Sequence, residues 1–319
     1  VVLIIAFFIW EGWFAPYPMA PPALFKKAKK TMVVILLITF LSGGNYFVLL
    51  LFWPTQVYNV YGKKTLLFLF TADYGIGDDP IGIGIRSLPV GFGIIAGAVI
   101  CLVLIPITRG RVKALMIFFT ALMTAGTGAV SVNTPDNLNA MYAIVTIASI
   151  GVGGVIIPSS IIAQIACPDE LIATITAITL SIRYIGGAIG FAIYANLFFR
   201  KFTEYGGTVV AIDGIVMHGI VSPKHLELIV HLVELVGNAK FHELKEVIAT
   251  SPLVQNKEMA YPVILNYAQR AFALAYRYPY WISIAFGGLC FILSFFVGDI
   301  GGLLTNKVAA ESVEADRSD

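Results

Sequence analysis

The sequence predicts an all-α fold, a polytopic bundle of transmembrane helices, and three observations carry that prediction. About six stretches of some twenty nearly uncharged, strongly apolar residues recur along the 319-residue chain. Most connections between them are short. Only 13% of the residues are charged while 58% are hydrophobic, against about 25% charged in a typical soluble domain. A helix needs about 20 apolar residues to cross the bilayer core. Inside lipid it must satisfy every backbone polar group within itself. The first partner implied is therefore the lipid bilayer. The net charge of +2 does not suggest a nucleic-acid partner.

Taken in order, residues 1–13 read as the end of a truncated transmembrane helix, because the chain opens on an apolar run with no basic n-region before it and no cleavage site after it. The expectation is a fragment of a longer protein. Residues 14–199 are expected to hold five transmembrane helices, drawn roughly at 32–55, 82–106, 113–132, 139–166 and 172–198. The apolar run at 66–70 is too short to cross. Segment 200–278 reads as an extracellular amphipathic loop in which Ser222-Pro223 can start a helix, with 223–249 amphipathic and Leu226, Ile229, Val230, Val233 and Leu244 as its apolar anchors. Residues 279–300 read as the last transmembrane helix and 301–319 as a cytoplasmic tail.

Short cytoplasmic loops are rich in Lys and Arg. The basic cluster at 26–30 and the one formed by Arg109, Arg111 and Lys113 are separated by two spans, so they share a side, read here as the cytoplasm. Counting onward puts the turn at 167–171 inside and segment 200–278 outside. Tyr276, Tyr278, Tyr280 and Trp281 crowd the start of the last span, and Phe52 and Trp53 the end of the span at 32–55. Both groups suit an aromatic belt at the outer interface.

The span at 172–198 carries the strongest functional pattern. Thr176, Thr179, Arg183, Gly186, Gly190 and Tyr194 recur at three or four residues, one helical stripe of small or polar groups. Arg183 lies about ten residues from the inner end, hence roughly 15 Å deep. An intramembrane charge normally faces a cavity or a partner. Arg183 is therefore either a cavity-lining or gating cation or a brace that bonds helix carbonyls. Gly186 and Gly190, like Gly93 and Gly97, form a GxxxG pair that favours close helix approach.

Asn45 and Tyr46, beside Ser42-Gly43-Gly44, form a polar patch near the centre of their span. It either meets a polar substrate group or bonds a neighbouring helix. Pro158, followed by Ser159, Ser160 and Gln164, marks a break suited to a gate, a substrate site or a static kink.

Other chemistry is not encoded in recognisable form. Gly91-Phe92-Gly93-Ile94-Ile95-Ala96 matches GxGxxA formally but lacks the preceding strand and βαβ unit of a dinucleotide site. The four histidines all lie in 200–278, and His225 and His231 are six apart rather than the i, i+4 of a zinc helix. Cys101, Cys167 and Cys290 lie in or beside apolar spans without metal-ligand neighbours. No Ser/His/Asp grouping, phosphate loop or paired intramembrane carboxylate is visible. The expectation is no enzyme, no metal and no cofactor.

Two long motifs and three shorter ones then resemble a known family. They are Phe52-Trp53-Pro54-Thr55-Gln56-Val57-Tyr58-Asn59-Val60-Tyr61-Gly62 and Asp79-Pro80-Ile81-Gly82-Ile83-Gly84-Ile85-Arg86-Ser87-Leu88-Pro89-Val90-Gly91-Phe92-Gly93. Ser181-Ile182-Arg183-Tyr184-Ile185-Gly186-Gly187-Ala188-Ile189-Gly190 resembles the penultimate helix of that family. Ala275-Tyr276-Arg277-Tyr278-Pro279-Tyr280-Trp281 and Gly298-Asp299-Ile300 resemble the two ends of its last helix. The family is the fungal trichothecene efflux pump group, in the fourteen-helix drug:proton antiporter branch of the major facilitator superfamily.

The resemblance implies two pseudo-symmetric bundles rocking about a midplane site, with this chain supplying the C-terminal bundle from helix eight onward. It implies export of hydrophobic small molecules, toxins or drugs, driven by protons, with the missing N-terminal half as partner. A siderophore transporter of the same superfamily and a non-transporting helix bundle are the alternatives. The membrane implied is the plasma membrane, with a vacuolar or vesicle membrane as the alternative. In the family Tyr61-Gly62 runs almost directly into Asp79-Pro80, whereas residues 63–78 intervene here. The departure reads as a retained intron. Transcript reads joining codon 62 to codon 79 are the expected result, and uniform coverage through the insert would refute it.

Overall fold

The computed structural model describes residues 21–25, 28–61, 80–108 and 111–298. The truncated span at 1–13, the insert at 63–78, Arg109 and the tail at 301–319 lie outside the described residues. The described residues form helices and no strand. Helix α1 (Lys29–Phe47) passes through a π-helical turn at Val48–Phe52 into α2 (Trp53–Tyr61). There follow α3 (Pro80–Ile107), α4 (Val112–Ala129), α5 (Leu138–Ala166) and α6 (Ile172–Tyr205). Helix α6 continues as a π-helical stretch, Gly206–Val216. The last described helices are α7 (Leu226–Gly237), α8 (Phe241–Thr250) and α9 (Lys257–Ser294).

Among the described residues five helical stretches are long and apolar enough to cross a membrane: Lys29–Tyr61, Ile81–Ile107, Val112–Val132, Leu138–Ala166 and Asp169–Val216. The predicted last span is the second half of α9 rather than a separate helix. Pro279 reads in sequence as a helix start, but here it sits inside α9. Neighbouring helices can make such a proline tolerable in a membrane protein. The wide turn at Val48–Phe52 precedes Pro54, whose missing N–H removes one rung of the ladder. Thr55 Oγ1 donates back to the Leu51 and Phe52 carbonyls at 3.2 and 2.9 Å.

Segment 200–278, read from sequence as a loop, is mostly helical. It holds the end of α6, then α7, α8 and the first half of α9. The amphipathic pattern at 223–249 suggests one helix, yet the chain breaks between α7 and α8. Ala239 adopts a left-handed conformation there (φ 55°). The Lys240 N–H bonds the Leu235 carbonyl at 2.9 Å and the Ala239 N–H bonds Val236 at 3.0 Å, a Schellman ending. Ile229, Leu232, Leu235 and Val236 are the buried anchors of α7, while Leu226 and Val230, expected to anchor it, are exposed.

In the bundle α3 lies on α5, α5 on α4 and α1, α4 on α9, and α9 on α1 and α6, with α6 also against α1. Two of the crossings that bring backbones into contact carry the predicted glycine pairs. At the α1–α6 crossing a Cβ on Gly43 would fall on the Arg183 carbonyl, and one on Gly186 would fall on the Phe40 carbonyl. At Gly190 a Cβ would lie 2.9 Å from the Gly44 Cα. At the α3–α5 crossing a Cβ on Gly97 would strike the Ile150 carbonyl, one on Gly153 the Ile94 carbonyl, and one on Gly93 would lie 2.6 Å from the Ser149 Cβ. Without a hydrophobic drive between helices in lipid, such close approach is a main source of association.

The outer faces are apolar. Ile81, Ile85, Leu88, Phe92, Ile95 and Val99 are exposed at three- and four-residue intervals on α3, one continuous face. Lipid is the solvent that such a face suits. Only 28% of the most apolar window in the α6 stretch is buried, against 56% in the α1–α2 stretch and in α5. Helix α6 therefore stands at the rim, with only its inner stripe engaged.

Candidate functional site

The inner stripe of α6 is the face it turns to the protein: Thr179, Arg183, Gly186, Gly190 and Tyr194 are all buried. Arg183 retains 6% of its exposure. One guanidinium nitrogen, Nη2, donates to the Ile156 carbonyl at 2.6 Å and to Ser160 Oγ at 2.8 Å, with Ser159 Oγ at 3.5 Å. Ser159 Oγ also donates to the Ile156 carbonyl, at 2.9 Å. All of these acceptors flank Pro158 on α5, which stays helical through that residue. Arg183 therefore clamps α6 to the proline-containing turn of α5. Its Nε is buried with no hydrogen-bond partner among the described residues. Among the described residues no carboxylate pairs with it.

Asn45 answers a different pair of helices. With its amide nitrogen toward α9 it donates to the Ser283 carbonyl at 3.0 Å, and its oxygen accepts from the Gly287 N–H at 3.1 Å. Those two groups are the ends of one i, i+4 rung, so Asn45 offers α9 the same donor and acceptor as a peptide group. Thr127 of α4 lies 3.5 Å from the same amide. A buried amide in lipid needs both partners, and it finds them on a neighbouring helix. Tyr46 is half-buried, with its ring edge-on to Phe47 at 5.5 Å.

Tyr194 is fully buried between Phe52 and Phe286, with ring centroids at 6.2 and 5.8 Å, and its hydroxyl has no hydrogen-bond partner among the described residues. Thr179 Oγ1 donates to the Thr176 carbonyl at 2.9 Å. Gln164 Nε2 donates to Thr176 Oγ1 at 2.8 Å, tying the end of α5 to the start of α6. The sequence-predicted residues thus form two groups. Arg183, Ser159 and the Gln164–Thr176 link join α5 to α6, while Asn45 joins α1 to α4 and α9. Gly93, Gly97, Gly186 and Gly190 lie in the two crossings. Arg111 and Lys113 are exposed at the start of α4, outside both groups.

A third polar group is absent from the sequence reading. Gln56 Oε1 accepts from the Tyr280 hydroxyl at 2.8 Å, and Asn59 Nδ2 donates to the Tyr276 hydroxyl at 2.8 Å. Position rises along α2 as it falls along α9, so the two helices run antiparallel. Arg86 of α3 donates to the Tyr61 carbonyl at 2.8 Å, and Trp53 Nε1 donates to the Arg86 carbonyl at 3.0 Å. The aromatic-belt expectation is corrected here: Phe52, Trp53, Tyr276 and Tyr280 are buried, whereas Trp281 is 49% exposed. Residues 276 and 280 share a helix face, and 278 and 281 lie on another. The signal available in sequence was a one-turn polar pair on each helix, Gln56 and Asn59 (i, i+3) and Tyr276 and Tyr280 (i, i+4).

With this geometry in place, comparison with known proteins gives one family. The model of the fungal trichothecene efflux pump family (TRI12) matches residues 2–319. A similar curated protein is the trichothecene efflux pump TRI12 of Fusarium sporotrichioides, 24% identical over 200 residues. That alignment takes in 62% of this chain and 31% of the relative, so the chain matches under two thirds of that protein's length.

Proposed function

We propose a transport function on the premise that the chain belongs to the fungal trichothecene efflux pump family, a family of major-facilitator type. In this reading the described helices are helices nine to fourteen of a fourteen-helix exporter and make up its C-terminal bundle. A second bundle supplies the opposite wall of a midplane site. The cargo is a hydrophobic small molecule of the trichothecene class, moved out of the cell across the plasma membrane. The observation that carries this reading is the family match over residues 2–319.

Arg183 supports it from the structure side: a cation held deep in an apolar bundle is costly, and this one grips a proline-containing turn, an element suited to a change of helix shape. No Asp or Glu lies near the middle of any predicted span. We therefore place the proton-coupling acid in the other bundle. The end carrying Arg111 and Lys113 faces the cytoplasm in this reading, by the positive-inside rule.

The test uses the full-length protein that contains this chain, produced in yeast lacking its own drug pumps. Steady-state accumulation of a radiolabelled trichothecene is expected to fall severalfold, and a protonophore to restore it. Accumulation equal to that of empty-vector cells at matched membrane abundance would overturn the proposal.

A further inference from the structure

On the outer surface, α6 and α9 leave a groove of about 430 Å³ between them, lined by Ala192, Ile193, Asn196, Leu197, Arg200 and Ile282. From Ala192 to Arg200 it runs along about 12 Å of helix. Its walls are apolar, and its polar groups are Asn196 and Arg200. Asn196 Nδ2 donates back to the Ala192 carbonyl at 2.7 Å, so Arg200 is the lining residue left to meet a charged group.

The surroundings place the two ends of the groove in different media. At the Arg200 end, Lys201 stands 4.9 Å over the Tyr278 ring, which lies edge-on to exposed Trp281 at 5.0 Å. Amphipathic aromatics beside basic residues mark a membrane–water interface. Beyond Ala192, the exposed residues Ile189 and Ile185 continue an apolar face. The charge beside Arg200 is already matched: Lys201 pairs with Glu204 at 2.6 Å. Among the described residues Arg200 itself has no carboxylate partner.

We propose that this groove holds one glycerophospholipid, its phosphate on Arg200 and an acyl chain along Ala192, Ile193, Leu197 and Ile282. A planar guanidinium matches a phosphate in a bidentate fashion. The apolar groove below it suits a hydrocarbon chain, and Tyr278 and Trp281 beside Lys201 set the headgroup at an interfacial depth. The lipid would fill the gap between α6 and α9 and hold the lightly buried α6 against the bundle.

The test is native mass spectrometry of the full chain in detergent, titrated with phosphatidylglycerol or with a diacylglycerol of the same acyl chains. The wild type is expected to retain one phosphatidylglycerol and severalfold less diacylglycerol. Arg200→Gln should lower phospholipid retention severalfold, and so should Ala192→Trp, which fills the groove and leaves the cation intact. Arg270→Gln, an exposed cation elsewhere on α9, should change nothing. Equal retention of the two lipids by the wild type, or wild-type retention by Arg200→Gln, would overturn the proposal. Unchanged retention by Ala192→Trp would remove the acyl chain from the groove and overturn it equally. The readout is binding, so it is independent of whether the protein transports.

Discussion

Leucine at Gly97 is expected to cost the chain its folded bundle, whereas alanine at Gly91 on the same helix is expected to be neutral or slightly stabilising. Both glycines lie inside α3. A Cβ at Gly97 would strike the Ile150 carbonyl, while a Cβ at Gly91 meets nothing within 4 Å. The obstacle at Gly97 is backbone of α5, which cannot rotate away as a side chain can. Overpacking a well-fitted core costs about 1–3 kcal/mol and occasionally more. A full leucine against a neighbouring backbone belongs at or above the top of that range, and marginal stability of about 5–15 kcal/mol leaves little reserve.

At Gly91 the local term governs: glycine in a helix interior is less favourable than alanine by about 0.5–1 kcal/mol. Thermal unfolding in detergent, followed by size-exclusion of the heated sample, reads both changes. Gly97→Leu should yield little monodisperse protein, and Gly91→Ala should unfold at or above the wild-type temperature. A Gly97→Leu protein as stable as the wild type would remove the close α3–α5 crossing from the fold.

The contrast between those two glycines shows where sequence reading stops. Both stand in one apolar run, and spacing marks Gly93 and Gly97 as a pair suited to close approach, but the partner residues Ile150 and Gly153 are known only from the fold. Limits of α3 and α5 were legible to within about two residues, because an apolar window bounded by polar turns is set by the bilayer itself. The end of α6 and the first half of α9 were not, because their polar residues make them resemble a loop, and the amphipathic pattern at 223–249 pointed to one helix where the chain forms two, α7 and α8. The stripe through Arg183 could be seen as a helical face, since periodicity is local. Which carbonyls and hydroxyls it grips could not, since Ile156, Ser159 and Ser160 belong to another helix. Tyr276 and Tyr280 were misplaced for the same reason: an amphipathic ring suits an interface and a buried amide equally, and Gln56 and Asn59 decide between them only once α2 lies against α9.

Arg183→Ala in the full-length protein is expected to lower export at least tenfold while the protein still reaches the membrane. The two halves of that outcome follow from opposing energies. Removing Arg183 gives up charge-assisted hydrogen bonds to the Ile156 carbonyl and Ser160 Oγ, each worth about 1.5–3 kcal/mol. It also removes the cost of holding a cation deep in lipid, about 2.5–3.5 kcal/mol on insertion scales. These terms are of similar size, so the net change in stability is small and assembly survives. What does not survive is the link between α6 and the Pro158 turn of α5, together with a buried, unpartnered Nε that could bond a cargo or a moving carbonyl.

Arg183→Lys separates these roles. It keeps the charge and loses the planar fork, so it should recover part of the export if a point charge is what matters and little if geometry is. Arg183→Met fills the same space without charge, and is expected to fold like the wild type and export like Arg183→Ala. Efflux of a trichothecene or dye from cells carrying only each variant, with surface abundance measured in parallel, checks all three. Wild-type efflux by Arg183→Met would reduce Arg183 to a space-filling brace and take it out of the transport cycle.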